Sequence, residues 1–437
     1  MKSNYYQEQW QDLKESADSQ QLDSLAKRVA SSFIDRYYYS DEYNREHIHL
    51  LCEMATHFVD ESLNQIAART LFGTVIERLC DDFEELQTET YNRLICQVVN
   101  YLCHIPEGRE IESELCSFHL RTEEQLYQRI ESIRLTPDRR LSGIVRPKKI
   151  LILSRVTIGA DVAITSVICQ RVAQFFPEAE VVVIGNGKLK QIFASEANVQ
   201  VHELNYARRG GLLEKFQVWL QLLTEVRRKI ANLSSVEFLI LDPDSRLTQL
   251  GVLPLVPLQN YRFFNSRGKQ ESSKHASMAQ LTNQWLDNIL GKEDFCYPKV
   301  WPASSNLESA EKFRLNIDTN ERFTLITVNL GVGGNERKRV PSEFEKELLL
   351  TLLKEPNTKI VLDLGFGYQE RAQSSSLLQA AHEAGITTAE TTFSEMQQIN
   401  SSARLIGIEC SIGEISALIN QSDEFIGYDS ACQHIAA

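Results

Sequence analysis

The sequence predicts an α/β protein with two halves, each built on a parallel sheet, behind an all-helical head. Three observations predict it. Apolar runs at 150–153 and 180–184 flank a loop and a helix that ends near Pro177. Strand, loop, helix and strand at that spacing make a βαβ unit, whose strands are parallel and whose ligand lies at their carboxyl ends. A second set of such runs, at 323–330 and 359–364, follows a proline- and serine-marked stretch. Residues 1–140 instead carry apolar side chains at helical spacing, with little glycine or proline before Pro106 and Gly108.

Composition narrows the class. A chain of 437 residues is long enough for two or three domains. Its 43% hydrophobic and 24% charged residues are ordinary for a globular protein. A net charge of -13 argues against nucleic acid as a partner, because phosphate contacts need a positive field. No apolar run reaches membrane-spanning length, and the first residues lack the apolar core of a signal peptide. The expected location is cytoplasmic, including the periphery of the inner membrane. The nine cysteines form no CxxC pair and read as reduced thiols. Cys96, Cys103, His104, Cys116 and His119 lie close in sequence, but without close ligand pairs they read as packed small residues before they read as a zinc site.

In the head, Leu22, Leu25, Val29 and Phe33 mark one helix, and Leu50, Met54, Phe58 and Leu63 continue the pattern. Ile76, Leu79 and Phe83 follow, then Leu94, Val98 and Leu102. Five or six helices are expected over 1–140, ending with one at 123–133. Tyr37, Tyr38 and Tyr39 read as a buried helix end rather than a binding surface. Residues 135–149 form a basic linker.

The first α/β half spans 148–305, with further strands at 199–204, 238–241 and 261–264 and an amphipathic helix at 212–230. Gly159 and Asp161 occupy the loop after its first strand, so Asp161 is aimed at a cleft. Asp242, Asp244, Ser245 and Arg246 follow a buried strand. They line the same cleft or serve as turn and capping residues, and the sequence leaves both open. Arg208-Arg209-Gly210-Gly211 reads as a solvated turn, 272–283 as a polar stretch and 297–307 as an interdomain connection.

The second half spans 320–437. Its first strand leads to a glycine-bearing loop from Gly331 to Pro341, and a helix at 343–353 follows. The strand at 359–364 ends at Gly365-Phe366-Gly367-Tyr368-Gln369-Glu370. A helix runs to about Ala384, another follows Cys410, and a short strand at 424–428 leads to Asp429-Ser430-Ala431-Cys432-Gln433-His434. The dinucleotide fingerprint GxGxxG is missing after the first strand, which sets aside a nicotinamide-dependent oxidoreductase.

Three motifs in this order carry a resemblance. Gly159-Ala160-Asp161 precedes a helix ending in Phe176-Pro177-Glu178-Ala179-Glu180; Lys338-Arg339-Val340-Pro341 closes a glycine-bearing loop; and Asp429-Ser430 opens a segment through His434 to Ala436-Ala437. Together they resemble the heptosyltransferase-like glycosyltransferases (glycosyltransferase family nine), over residues 148–437. The resemblance implies two facing Rossmann-like domains, the GT-B architecture, preceded here by the helical domain. The sequence departs from the family pattern at an extra residue, Ala160, at Val340 in place of tryptophan, and at Ala431 in place of glycine.

What the resemblance implies is an inverting, metal-independent transfer of a sugar from a nucleotide-sugar to a glycan, lipid or protein acceptor, with no cofactor. It assigns Asp161 as the base on the acceptor hydroxyl, a role suited to a positioned carboxylate, whose bland counterpart is a helix N-cap. Lys338 supplies positive charge to the leaving diphosphate, and the resemblance places Asp429, Ser430 and His434 with it as the residues that bind the donor phosphates. Glu370 matches the nucleoside contact. Asp242-Pro243-Asp244 is the sole Asp-x-Asp segment that a metal-dependent enzyme would need, and it falls in the wrong half. Ala431 and Val340 favour an alternative, a catalytically inactive scaffold whose head recruits a protein partner or self-associates. The sequence stops within the first turn of the helix that the third motif opens, so an incomplete chain is expected.

Overall fold

The computed structural model describes residues 2–81, 84–135, 140–141, 146–195, 198–206, 210–268, 276–318, 323–333 and 338–437. Phe83, Arg208, Arg209, loop residues 334–337 and most of the expected linker lie outside them. The chain divides into two units. The first comprises 1–156, 172–186 and 202–295, and the second comprises 157–171, 187–201 and 296–437.

The head contains α1 (Lys2–Ser16), α2 (Ser19–Ser40), α3 (Arg45–Met54), α4 (Glu61–Thr70), α5 (Glu77–Asp81), α6 (Glu85–Cys103), α7 (Arg109–Ser117) and α8 (Glu123–Leu135). A π-helical turn, Leu71–Ile76, joins α4 to α5, so among the described residues seven helical stretches stand where five or six were expected. The extra ones carry few core positions. In α1 only Trp10 and Leu13 are among the buried apolar residues, too few to form a stripe. The sequence shows α2 more clearly: Leu22, Leu25, Val29 and Phe33 are all buried. Asp18 caps its start by accepting from the N–H groups of Gln20 and Gln21, and left-handed Asp41 (φ 50°) ends it. Tyr37 is buried at that end while Tyr39 is exposed.

His47, on α3, is 1% exposed, and neither ring nitrogen has a hydrogen-bond partner among the described residues. Burial, aided by nearby Arg36, pushes its imidazole down to about 4, against the partial opposition of Glu46 and Glu42. A base whose folded pKa is depressed stabilises the fold above its unfolded value and loses that contribution as pH falls toward the folded one. Thermal unfolding should therefore show stability falling between about pH 6.5 and pH 4. His47→Leu should flatten that slope, and an unchanged slope would acquit His47.

The first sheet has strands β1 (Lys149–Leu153), β2 (Glu180–Gly185), β3 (Val199–Glu203), β4 (Phe238–Asp242) and β5 (Tyr261–Phe263), in the order β3-β2-β1-β4-β5. β1 runs parallel to β2 and β4, and β4 parallel to β5. Between β1 and β2 lie α9 (Ile158–Ala160), a π-helical turn at Asp161–Thr165, and α10 (Ser166–Phe175). Then come α11 (Leu189–Ile192), α12 (Leu212–Ile230) and α13 (Met278–Leu290).

Head and first sheet share one apolar core. Val98 and Ile130 of the head belong to the same cluster as Leu151, Ile240 and Trp219. Polar ties reinforce it: Arg129 donates to the Gly251 and Val252 carbonyls at 2.6 and 3.0 Å, and Arg227 grips Glu114 through two bonds of 2.7 and 2.5 Å. Residues 278–283 belong to α13 rather than to a polar stretch, since Ala279, Leu281, Trp285 and Leu286 are buried and Ser277, at the N-cap, forms a capping box with Gln280.

In the second unit, α14 (Ser304–Ile317) starts inside the stretch expected to connect domains. Ala310, Phe313 and Ile317 give it a buried face at helical spacing. The second sheet contains β6 (Thr324–Asn329), β7 (Thr358–Asp363), β8 (Thr388–Thr392), β9 (Leu405–Glu409) and β10 (Glu424–Gly427), with helices α15 (Ser342–Leu352), α16 (Tyr368–Glu383), α17 (Ile412–Gln421) and α18 (Ala431–Ala436). Its order is β10-β6-β7-β9-β8, with every neighbouring pair parallel. Alternation along the strands feeds two cores. Leu325 and Val361 face one cluster with α14 and α17, whereas Ile326, Val328, Ile360 and Leu362 face another with α15 and α16. β8 and β9 were not expected. β8 is a half-exposed edge strand of threonine, alanine and glutamate, without the apolar run that reveals a buried strand.

Both sheets are Rossmann-like, with helices of the second covering its two faces. Among the described residues, no helix is long and apolar enough to cross a membrane, and no group of three or more His, Cys, Asp or Glu could hold a metal ion.

Candidate functional site

The polar loops of the second unit gather at the carboxyl ends of its strands. β6 leads into β7 on one side, and the chain reaches β10 on its other side only by crossing back from β9. That reversal opens a crevice at the strand ends, the usual ligand position in such a sheet. β6 ends at Asn329, β7 at Asp363 and β10 at Gly427.

Asn329 donates to Asp363 Oδ2 at 2.6 Å, and the Gly365 N–H donates to Oδ1 at 3.0 Å. Burial raises the Asp363 carboxyl above its ordinary value, although these two donors oppose the shift. Glu370, in the first turn of α16, folds back and accepts from the Phe366 N–H at 2.8 Å. Its carboxylate covers both Gly331 and Gly365, where an added Cβ would stand 3.3 Å from Oε1 and 2.6 Å from the Glu370 Cβ. Glu370 is thus placed where the β6 and β7 loops meet.

The basic loop is held from below. Glu345, on α15, is 1% exposed and accepts from the Tyr428 hydroxyl at 2.5 Å and from Gln373, with Arg339 at 3.5 Å. Tyr428 in turn accepts from the Val340 N–H at 3.1 Å. Burial, and then its bond to Glu345, pushes the Tyr428 phenol up to about 12. The sequence pointed to Lys338 but not to Glu345, which sits in an acidic helix start and resembles any surface glutamate. Glu345→Ala removes the acceptor of the half-buried Tyr428 phenol and the carboxylate beside a guanidinium that is 15% exposed. It should cost about 3–4 kcal/mol in chemical denaturation, the range for breaking a buried charged pair. A change below about 0.5 kcal/mol, the size of an ordinary surface substitution, would rule out this clamp.

Lys338 Nζ donates to Asp429 Oδ2 at 2.5 Å and to the Asp429 carbonyl at 2.9 Å. This bond holds the Asp429 carboxyl below the ordinary range, and His434 adds to the effect from 3.6 Å. Ser430 stands at the N-cap of α18, and its buried Oγ has no hydrogen-bond partner among the described residues. His434, one turn in, packs its ring on Gly159: a Cβ there would lie 2.4 Å from His434 Cδ2. No side chain larger than hydrogen fits at 159 without displacing that imidazole.

Gly159 and Asp161 were expected in a loop, but they lie in the helical segment that begins at Ile158. Thr157 stands at the N-cap position, so Asp161 is not the cap; its N–H donates to the Thr157 carbonyl at 2.9 Å. Asp161 begins the π-helical turn, is 1% exposed, and accepts from the Thr165 hydroxyl at 2.7 Å. Such turns recur at functional sites.

The second unit therefore brings Gly159, Asp161, Lys338, Glu370, Asp429, Ser430 and His434 into one set of adjoining segments. Asp242, Asp244 and Arg246 belong to the first unit. Asp242 is fully buried and accepts from the Ser245 N–H, the Thr248 hydroxyl and the Tyr261 hydroxyl at 2.7, 2.6 and 2.5 Å. Asp244, with φ 66°, is buried against Arg267, Ser266 and Arg155. Arg246 opens a half-turn capped by Ser245. For the two aspartates, turn chemistry is the reading the structure supports, and neither carboxylate is exposed to a ligand.

No protein-family model matches the chain, and no curated protein sequence matches it. Among solved structures it is similar to a glycosyl transferase of family 9 from Veillonella parvula, at 15% identity and a TM-score of 0.46 over 66% of this chain and 77% of that one. It is also similar to the E. coli ADP-heptose lps heptosyltransferase II, at 14% identity and a TM-score of 0.43 over 66% and 81%. A third is the E. coli heptosyltransferase WaaC with ADP, at 14% identity and a TM-score of 0.39 over 66% and 83%. At identities this low, reaction and substrate rest on the residues themselves.

Proposed function

We propose that the chain is an inverting, metal-independent glycosyltransferase that moves a sugar, heptose-like or other, from a nucleoside-diphosphate donor to a glycan, lipid or protein acceptor. The observation that carries this reading is the meeting of the three motif segments in one unit: Lys338 on Asp429, and His434 on Gly159, two residues from Asp161. Segments so far apart in sequence have no need to meet if each is merely a turn or a cap.

In this reading Asp161 takes the proton from the acceptor hydroxyl as that oxygen bonds to the anomeric carbon and the diphosphate departs. Lys338, aided by the unpartnered Ser430 hydroxyl, neutralises the charge that builds on the leaving group, and His434 stands beside them. Glu370 contacts the ribose. No metal is required, because Lys338 supplies the positive charge. The reaction takes place in the cytoplasm or at the inner face of its membrane, and the helical head is available to a protein partner or a second copy.

A second reading has a specific observation in its favour. Asp161 is 1% exposed with one oxygen occupied by Thr165, and Lys338 is already paired. Both fit an inactive, ligand-binding scaffold. The deciding experiment is calorimetric titration of ADP, UDP and GDP into the folded chain, followed by a turnover assay with sugar conjugates of whichever nucleotide binds. Binding with turnover supports the transferase, binding without turnover supports the scaffold, and no binding removes the donor site altogether.

A further inference from the structure

The turn after β7 has a backbone that leaves its side chains little choice of direction. Gly365 and Gly367 adopt φ values of 78° and 89°, in the region that favours glycine. Glu370 closes the turn by accepting from the Phe366 N–H, and its Cβ would lie 2.6 Å from any Cβ at 365. With the backbone pinned on both sides, Phe366 and Tyr368 stand out from the fold at 87% and 89% exposure. Among the described residues neither ring stacks on another aromatic, and a cation, Lys188 Nζ, lies 5.2 Å from the Phe366 ring centroid. Two large aromatic rings held in water by a rigid turn, at the carboxyl end of an interior strand, form a surface waiting for a flat partner.

Their position narrows what that partner is. The same turn meets the β6 loop through Glu370 and Gly331, and the β6 loop leads to Lys338 and Asp429 beside β10. Moving from β10 through β6 to β7 crosses two strand spacings, on the order of 10 Å. A cation lies at one end of that path, a carboxylate suited to sugar hydroxyls follows, and two aromatic rings lie at the other end. This is the order of diphosphate, ribose and base in a nucleoside diphosphate.

We infer that Phe366 and Tyr368 form the stacking surface for the nucleobase of the donor. The inference rests on the proposed donor site and adds the residues that read the base. Stacking tolerates any base, because each has a π face, so the surface contributes affinity, while edge contacts elsewhere select among bases.

The test is calorimetric titration of ADP, UDP, GDP and inorganic pyrophosphate into the wild-type chain, the double variant Phe366→Ala/Tyr368→Ala and the conservative Phe366→Trp. Both side chains are exposed, so the unfolding midpoint should not change. The double variant should bind its nucleotide roughly 5- to 150-fold more weakly, the range for loss of base stacking. It should bind pyrophosphate as the wild type does, and Phe366→Trp should retain nucleotide affinity. If the wild type binds a nucleotide and the double variant binds it equally well, this inference falls while the donor site stands. An equal loss of pyrophosphate affinity means that the rings hold the loop and not the base, which also overturns it. If the wild type binds no nucleotide at all, the donor site fails and the inference fails with it.

Discussion

Replacing Lys338 with alanine is expected to weaken nucleoside-diphosphate binding by roughly 100-fold, the equivalent of losing one or two charged hydrogen bonds. The lysine side chain is 37% exposed and its partner Asp429 is 64% exposed. A pair so open to solvent contributes little to folding, so the variant should unfold at nearly the wild-type midpoint and its binding loss can be read directly. Asp429→Asn supplies the opposite expectation. Removing the carboxylate that occupies Lys338 frees the ammonium for phosphate oxygens, and affinity should hold or rise. Acid should act in the same direction. The Asp429 carboxyl is held below the ordinary range by Lys338, so the pair persists as pH falls through ordinary carboxylate values and opens only as pH passes through that depressed folded value. If Lys338→Ala binds nucleotide as well as the wild type does, the basic loop is structural and the proposed donor site is misplaced.

Asp161→Asn carries the larger expected effect on turnover, a loss of about 100- to 10,000-fold for removal of a general base. Nucleotide affinity should stay within about twofold, as expected for a group acting on transfer and not on donor binding. Asparagine keeps an oxygen to accept from Thr165, so the π-helical turn should survive the substitution. The assay uses the sugar conjugate of whichever nucleotide the wild type binds and follows release of the diphosphate. Full turnover in Asp161→Asn would assign Asp161 to the fold. No turnover by wild type and variant alike, with nucleotide bound, would favour the scaffold. The burial of Asp161 gives the active reading a further demand: an acceptor hydroxyl must reach a carboxylate that is 1% exposed, so the surrounding side chains have to part when acceptor binds.

Much of this protein was legible in the sequence for a simple reason. Strands covered on both faces must be continuously apolar, so β1, β2, β4, β6 and β7 stand out within one or two residues of their true ends. The amphipathic stripe of α12 likewise defined Leu212–Ile230. The motif segments were singled out in the sequence too, and their residues adjoin in one unit, Lys338 on Asp429 and His434 on Gly159. Most of the elements that were missed lie at an edge or contribute few core positions: β8 is half exposed, and α1 and α14 bury only a few residues each; β9 is interior and buried, but Gly407 interrupts its short apolar run. Their patterns are too sparse to be seen one element at a time.

Whether a polar residue serves a site or the fold depended on contacts that no local pattern contains. Asp242 and Asp161 look alike in sequence, each a carboxylate on the carboxyl side of an apolar strand. Asp242 is filled by three donors from its own loop and its neighbour strand, while Asp161 lies two residues from the glycine that carries His434. Glu345 was invisible for the same reason, since its partners Arg339, Gln373 and Tyr428 arrive from three separate elements. Periodicity and turn chemistry act over a few residues, so sequence alone determined most of the strands and helices and singled out the candidate loops. Long-range packing alone decided which of those loops meet, because side chains about 100 residues apart are brought together only when the sheet between them forms.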